Sequence, residues 1–183
     1  MLVQRFAEFA QPVLDLPLVR RTRRNHGLEH ATIHILSHRV KNLRMAGRSS
    51  ESGFILLGEA STEQVEAAVH DALRRMRAGE HDLAVHPNCG TNLVTTGLMT
   101  TVAAMVGLTG ASRRDFWNRM PAVMMLVMVA LIFSQPLGLS LQKYVTTDGD
   151  PADLEVISVT RSRMQTPLSS APLTVHRVVT TSS

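Results

Sequence analysis

Apolar positions along this chain change rhythm several times, and each change marks a predicted element. Val3, Phe6, Phe9 and Val13 recur at helical spacing with Arg5, Glu8 and Gln11 between them, while Pro12 and Pro17 limit the run. This predicts a short amphipathic helix that lies on a membrane surface or packs into a core. A second helix follows, capped by Thr22 or Asn25 and ending near Ser37 or His38, with Leu28, Thr32, Ile35 and Leu36 on its packed side. Gly27 weakens it slightly. Val40, Leu43 and Met45 predict a strand, the serine-rich Gly47 to Gly53 a turn, and Phe54 to Leu57 a second strand. Ser61 and Gln64 form a capping box ahead of Val65, Ala68, Val69, Ala72, Leu73 and Met76, a clean amphipathic helix closed by Gly79. Leu83 to Val85 adds one more short strand.

The rhythm then stops. No Asp, Glu, Lys or Arg occurs from Leu83 to Ser112 or from Met120 to Gln142, and each window exceeds the ~20 apolar residues a bilayer span needs. They predict a transmembrane helical hairpin, residues 91–112 and 120–142, joined by a loop carrying Arg113, Arg114 and Arg119 beside Phe116 and Trp117. Beyond Lys143 the chain is polar again, and Leu154 to Val159 and Leu173 to Val179 read as strands around a Ser/Pro-rich connection. An even number of crossings leaves both polar parts on one side. The expected fold is therefore α+β: a small mixed sheet with covering helices, attached to a two-helix transmembrane hairpin. Its segments are a membrane-surface helix (1–21), a metal-site domain (22–90), the hairpin (91–142) and a C-terminal β segment (143–183) completing the polar domain.

Composition adjusts this picture in three respects. A chain of 183 residues and 20.1 kDa supports one small domain plus attachments. The net charge is +4 and almost all of the basic residues are arginine, but Arg20, Arg21, Arg23 and Arg24 lack interleaved aromatic residues. Anionic lipid is the expected counter-charge, and nucleic acid is not. The single cysteine, Cys89, excludes an internal disulfide, and Arg5, Glu8 and Asp15 interrupt any cleavable signal. The expected setting is a bacterial cytoplasmic membrane, multi-pass, with the polar domain in the cytoplasm.

The candidate chemistry lies in Asn25 to His34, which reads N-H-G-L-E-H-A-T-I-H. On a helix, His26, Glu29, His30 and His34 fall near one face. His-x-x-Glu-His is the inverted zincin string, in which two histidines hold zinc and the glutamate works on the bound water. Catalytic zinc takes three protein ligands and a water, so His26 and His30 need a partner. The candidates are His86 and Cys89, at a chain reversal fixed by Pro87 and Gly90. Cys89 would also start a membrane helix, whose dipole favours thiolate. Glu29 is the expected general base. His34 is a supporting or surface residue, and His38, His70, His81 and His176 are ordinary polar positions.

H-G-L-E-H at 26–30, followed by H-P-N-C-G-T at 86–91 directly before a membrane helix, resembles the YqhQ-like family of bacterial membrane proteins. That family carries His-Gly-Ala-Glu-His and His-Pro-Arg-Cys-Gly-Thr blocks. The resemblance implies a metal-dependent enzyme with a site built from His26, Glu29, His30, His86 and Cys89. The resulting expectation is a membrane-anchored, zinc-dependent hydrolase, with peptide as the candidate substrate and another divalent transition metal as the alternative to zinc. Two other readings stand beside it: an adaptor of a membrane complex with a structural His/Cys clasp, and an acyl-transfer or thiol hydrolase with Cys89 as nucleophile.

Overall fold

The structure, a computed structural model, describes residues 2–112, 115–166 and 169–183. Arg113 and Arg114 of the predicted hairpin loop, and Pro167 and Leu168 of the predicted Ser/Pro-rich connection, lie outside the described residues. The chain divides into two compact units, Met1–His86 with Lys143–Ser183, and Pro87–Gln142.

The first unit is α+β. Helix α1 (Leu2–Leu14) turns Ala7 and Leu14 inward and leaves Leu2, Phe6, Phe9 and Val13 exposed. Helix α2 (Pro17–Arg39) begins earlier than the predicted caps at Thr22 or Asn25, because Pro17 occupies its first position, where a missing N–H and a fixed φ suit helix initiation. Strand β1 (Met45–Ser50) lies later than predicted and β2 (Gly53–Gly58) pairs with it antiparallel through a tight turn at Glu51 and Ser52. Gly47 thus sits inside a strand and not in the turn. Helix α3 (Thr62–Arg77) carries the capping box, Gln64 N–H donating to Ser61 Oγ at 3.2 Å and Ser61 N–H to Gln64 Oε1 at 2.9 Å. The strand expected at Leu83–Val85 is instead part of a 3₁₀ turn, His81–Ala84, followed by an extended residue.

Two long strands complete the sheet, β3 (Glu155–Thr166) and β4 (Ser169–Thr181). The order is β1-β2-β4-β3. The sheet, expected to be mixed, is antiparallel at every pairing. Strand parity decides the core: Phe54 stands opposite Val178 and Leu56 opposite His176, and all four are buried beneath α2 and α3 with Leu28, Leu36, Val69, Met76 and Leu154. His176 is therefore not the ordinary polar residue expected. It is fully buried, with Nε2 3.5 Å from Thr62 Oγ1, and burial together with Arg161 holds its pKa below the usual histidine value.

The arginine cluster is used inside this unit. An Arg20 Nη donates to the Ser183 carbonyl at 3.1 Å, Arg23 to the carbonyls of Thr147 (3.1 Å) and Tyr144 (3.4 Å), and Arg24 pairs with Asp153 at 2.8 Å. Three of the residues assigned to lipid from the sequence thus fasten the start of α2 to the chain after residue 143.

The second unit is a helical hairpin of α4 (Gly90–Leu108, 19 residues) and α5 (Phe116–Leu141, 26 residues). At 1.5 Å per residue these span about 28 and 39 Å, and both are long and apolar enough to cross a membrane. Small groups make the contact: Gly107 meets Val123, Gly138 meets Asn92, and Thr96 Oγ1 lies 2.8 Å from Ser134 Oγ. Leu98, Met105, Met125 and Ile132 point outward.

Candidate metal centre

Helix α2 positions the two histidines one turn apart. Their ring centroids are 4.3 Å apart in an edge arrangement, with a ring nitrogen of each within 4.8 Å of the other. His30 is buried and His26 half-buried. Each imidazole is held by a backbone carbonyl from a different segment. His26 Nδ1 lies 2.9 Å from the Thr146 carbonyl oxygen, and His30 Nδ1 lies 2.7 Å from that of Ala84 in the 3₁₀ turn. A carbonyl can only accept, so both rings donate from Nδ1, the arrangement in which a neutral imidazole carries its lone pair on Nε2. This is how proteins set histidine for metal ligation.

Gly27 explains how those segments come so close. A Cβ there would collide with the Asp148 carbonyl oxygen and sit 3.2 Å from Ala84 Cβ. Glycine inside a helix costs about 1 kcal/mol relative to alanine; here it lets two backbones approach the helix beside His26. The Asp148 N–H donates to the Arg23 carbonyl at 3.0 Å, which fixes the same loop. The Lys143–Asp148 stretch is thus pinned along α2.

His86 joins this group, its ring centroid 6.0 Å from that of His30. Cys89 belongs to the second unit. It is the N-cap of α4, its sulfur accepting from the Thr91 N–H at 3.4 Å. Of the predicted residues, then, His26, His30 and His86 cluster in the polar unit, and Cys89 follows His86 by three residues in the chain.

Glu29 is buried, and its seat is on β1. Ser49 Oγ donates to Oε2, and the carboxyl lies against Gly47, where no Cβ intervenes. Gly47 and Ser49 share the core face of β1 because they are two residues apart. Sequence reasoning named neither. The available signal was a Gly-x-Ser alternation in a segment taken for a turn. Nor did it find Thr146 and Ala84, which act through their carbonyls and so leave no side-chain signature.

His34 and His38 continue the same helix face, with ring centroids 4.6 Å apart and His38 Nδ1 2.8 Å from the His34 carbonyl. Burial, His38 and Arg75 lower the His34 pKa, which keeps this imidazole neutral over a wider range.

Taken together, a histidine-bearing α+β unit and a hairpin of two membrane-length apolar helices define the class of protein. The chain belongs to the family described as Domain of unknown function (DUF6391), whose model matches residues 21–159, from near the start of α2 into β3. An uncharacterized protein of Picosynechococcus sp. is 30% identical over 153 residues, covering 76% of this chain and 71% of that protein. No solved structure matches.

Proposed function

We propose that this chain is a membrane-anchored, metal-dependent hydrolase. His26, His30, His86 and Cys89 hold a zinc-class ion, and Glu29 acts as general base. The observation that carries the metal is the pair of Nδ1–carbonyl bonds, which turns two lone pairs outward from one helix face. Three covalent steps keep Cys89 within about 11 Å of His86, Cα to Cα, so the chain can bring a sulfur donor to the same ion. Nitrogen and sulfur donors select zinc over magnesium or calcium. An ion held by these residues would supply Lewis acidity for hydrolysis. Glu29 precedes His30 as the base does in the inverted zincin string, and the Ser49 hydroxyl holds its carboxyl group in place.

Anchoring rests on the two long apolar helices and on the exposed face of α1, where Leu2, Phe6, Phe9 and Val13 find lipid. Pairing of β2 with β4, on either side of the hairpin sequence, requires both polar segments on one membrane face. We place that face in the cytoplasm of a bacterial cell, with peptide as the candidate substrate.

One observation favours a second reading. The Glu29 carboxylate is committed to β1 through Ser49, which suits a closed clasp of four protein ligands in an adaptor. Metal analysis of the full chain beside His30→Ala and Cys89→Ser tests the site; near-zero metal in all three removes it. Glu29→Gln then separates the readings. Hydrolysis requires that this variant keep metal and lose activity. Cobalt substitution showing four protein ligands and no exchangeable water would establish the clasp.

A further inference from the structure

The face of the sheet turned away from α2 and α3 carries a feature the metal site does not use. Register places Arg48 of β1, Ile55 of β2 and Arg177 of β4 in one row across three strands. Adjacent strands lie about 4.8 Å apart, so the two arginine Cα atoms are roughly 10 Å apart, with a single branched aliphatic side chain between them. Both arginines are exposed and line one cavity of about 280 Å³ with Ser50, Ser52 and Gly53. No acidic residue lines it. Among the described residues neither arginine has a carboxylate within 4.0 Å, in contrast to Arg24, Arg39, Arg74 and Arg75, which are all paired.

At this spacing an anion seated over Ile55 is within reach of both long side chains. A sheet that keeps two unpaired guanidinium groups in one row, beside hydroxyls and free of carboxylates, has the charge pattern of an oxyanion cradle. Each guanidinium presents a planar fork of donors matched to two oxygens. A carboxylate has only two oxygens and satisfies one fork. A phosphate group offers three or more and up to two charges, enough for both. Gly53 forms the floor at a φ of +134°, where a Cβ would collide with the Val178 carbonyl oxygen, so the hairpin closes directly on β4. Half-buried Ile55 and Val179 give the edge of the cavity an apolar character suited to the organic part of a phosphate ester.

We infer that Arg48 and Arg177 form a phosphate-binding site on the outer face of the sheet, beside a turn that the Ser50 hydroxyl fastens by donating to the Gly53 carbonyl at 3.2 Å. The phosphate belongs either to a small soluble molecule or to a lipid headgroup; the recognition chemistry is shared.

The test is a titration of the full chain in detergent with inorganic phosphate, read by calorimetry and ³¹P line width. The expected result is one saturable site that weakens with ionic strength and loses at least about tenfold in affinity in Arg48→Gln and in Arg177→Gln, the scale of one charge-assisted fork. Both variants should melt like the parent, because among the described residues neither side chain has an ion pair to lose. His30→Ala should leave phosphate binding unchanged, so this site stands or falls apart from the metal centre. A second arm compares nanodiscs of phosphatidylcholine with nanodiscs containing phosphatidic acid, whose phosphomonoester keeps three free oxygens. Competition by the anionic lipid that disappears in both variants assigns the phosphate to a headgroup, and its absence assigns it to a soluble ligand. Non-saturable binding, or equal affinity in parent and variants, means an adventitious ion only and overturns the inference.

Discussion

Replacing Gly47 by alanine perturbs the candidate base without touching it. The new Cβ would overlap Oε1 of Glu29 and lie 2.5 Å from Cδ and 2.8 Å from Cγ. Carbon atoms at rest are about 3.5–4.0 Å apart, so the carboxyl has to retreat by roughly 1 Å. Glu29 is only 4% exposed and accepts from Ser49 Oγ; that retreat breaks a hydrogen bond to a buried carboxyl group. Leaving a buried polar group without its partner costs about 1–3 kcal/mol, and forcing a methyl group into a packed site costs about 1–3 kcal/mol. The combined loss is about 3 kcal/mol, within a factor of two. For a chain of this size that lowers the melting temperature by about 6–12 °C. The control is a double-mutant cycle with Glu29→Ala: once the glutamate is gone, Gly47→Ala should cost much less, giving a coupling energy above about 1 kcal/mol. Melting of the four proteins in detergent, followed by circular dichroism, reads this directly. Simple additivity, or a Gly47→Ala protein as stable as the parent, would show that Glu29 does not rest on β1.

Other outcomes follow from the same packing. Leu56→Ala, at a fully buried position opposite His176, should destabilise by about 2–5 kcal/mol in chemical denaturation. Burial, with Arg161 adding to it and Glu59 and Glu63 opposing, lowers the His176 pKa; His34 is lowered by burial, His38 and Arg75. The unfolded chain therefore takes up protons near pH 6.5 that the folded chain resists. Stability should be level above that pH and fall as pH drops below it, and His176→Gln should flatten the decline in melting temperature. His26→Ala and His30→Ala should each reduce bound metal measured by elemental analysis, and chelation should lower the melting temperature of the parent but not of either variant. Equal effects of chelator on all three would place any metal elsewhere.

Legibility followed the kind of signal each element carries. The apolar faces of α2 and α3 and the two charge-free windows announced themselves because side-chain pattern alone determines them. The Ser61 cap was legible because its hydrogen bonds close within four residues. Boundaries set by tertiary contact were not. Gly47 and its serine neighbours have the composition of a turn, and it is their antiparallel pairing with β2 that makes them a strand. Leu83 to Val85 has the composition of a strand but supplies the Ala84 carbonyl to His30 from a 3₁₀ turn. The histidine pair was visible as spacing, whereas its orientation depends on the main chain of Ala84 and Thr146, about which side chains are silent. The arginines near residue 20 read as lipid ligands because their partners lie more than a hundred residues away.

The sheet draws β1 and β2 from before the apolar helices and β4 and β3 from after them. During synthesis this sets an order. The ribosome delivers β2 long before β4 exists, so the central strand waits with one edge unpaired, and Leu56 waits without His176 opposite it, until both long helices have been made. An unpaired apolar edge is what invites aggregation. A nascent chain stalled before residue 169 therefore has β1 and β2 but no β4 to close the core, so the polar unit is completed only after both long helices have been made.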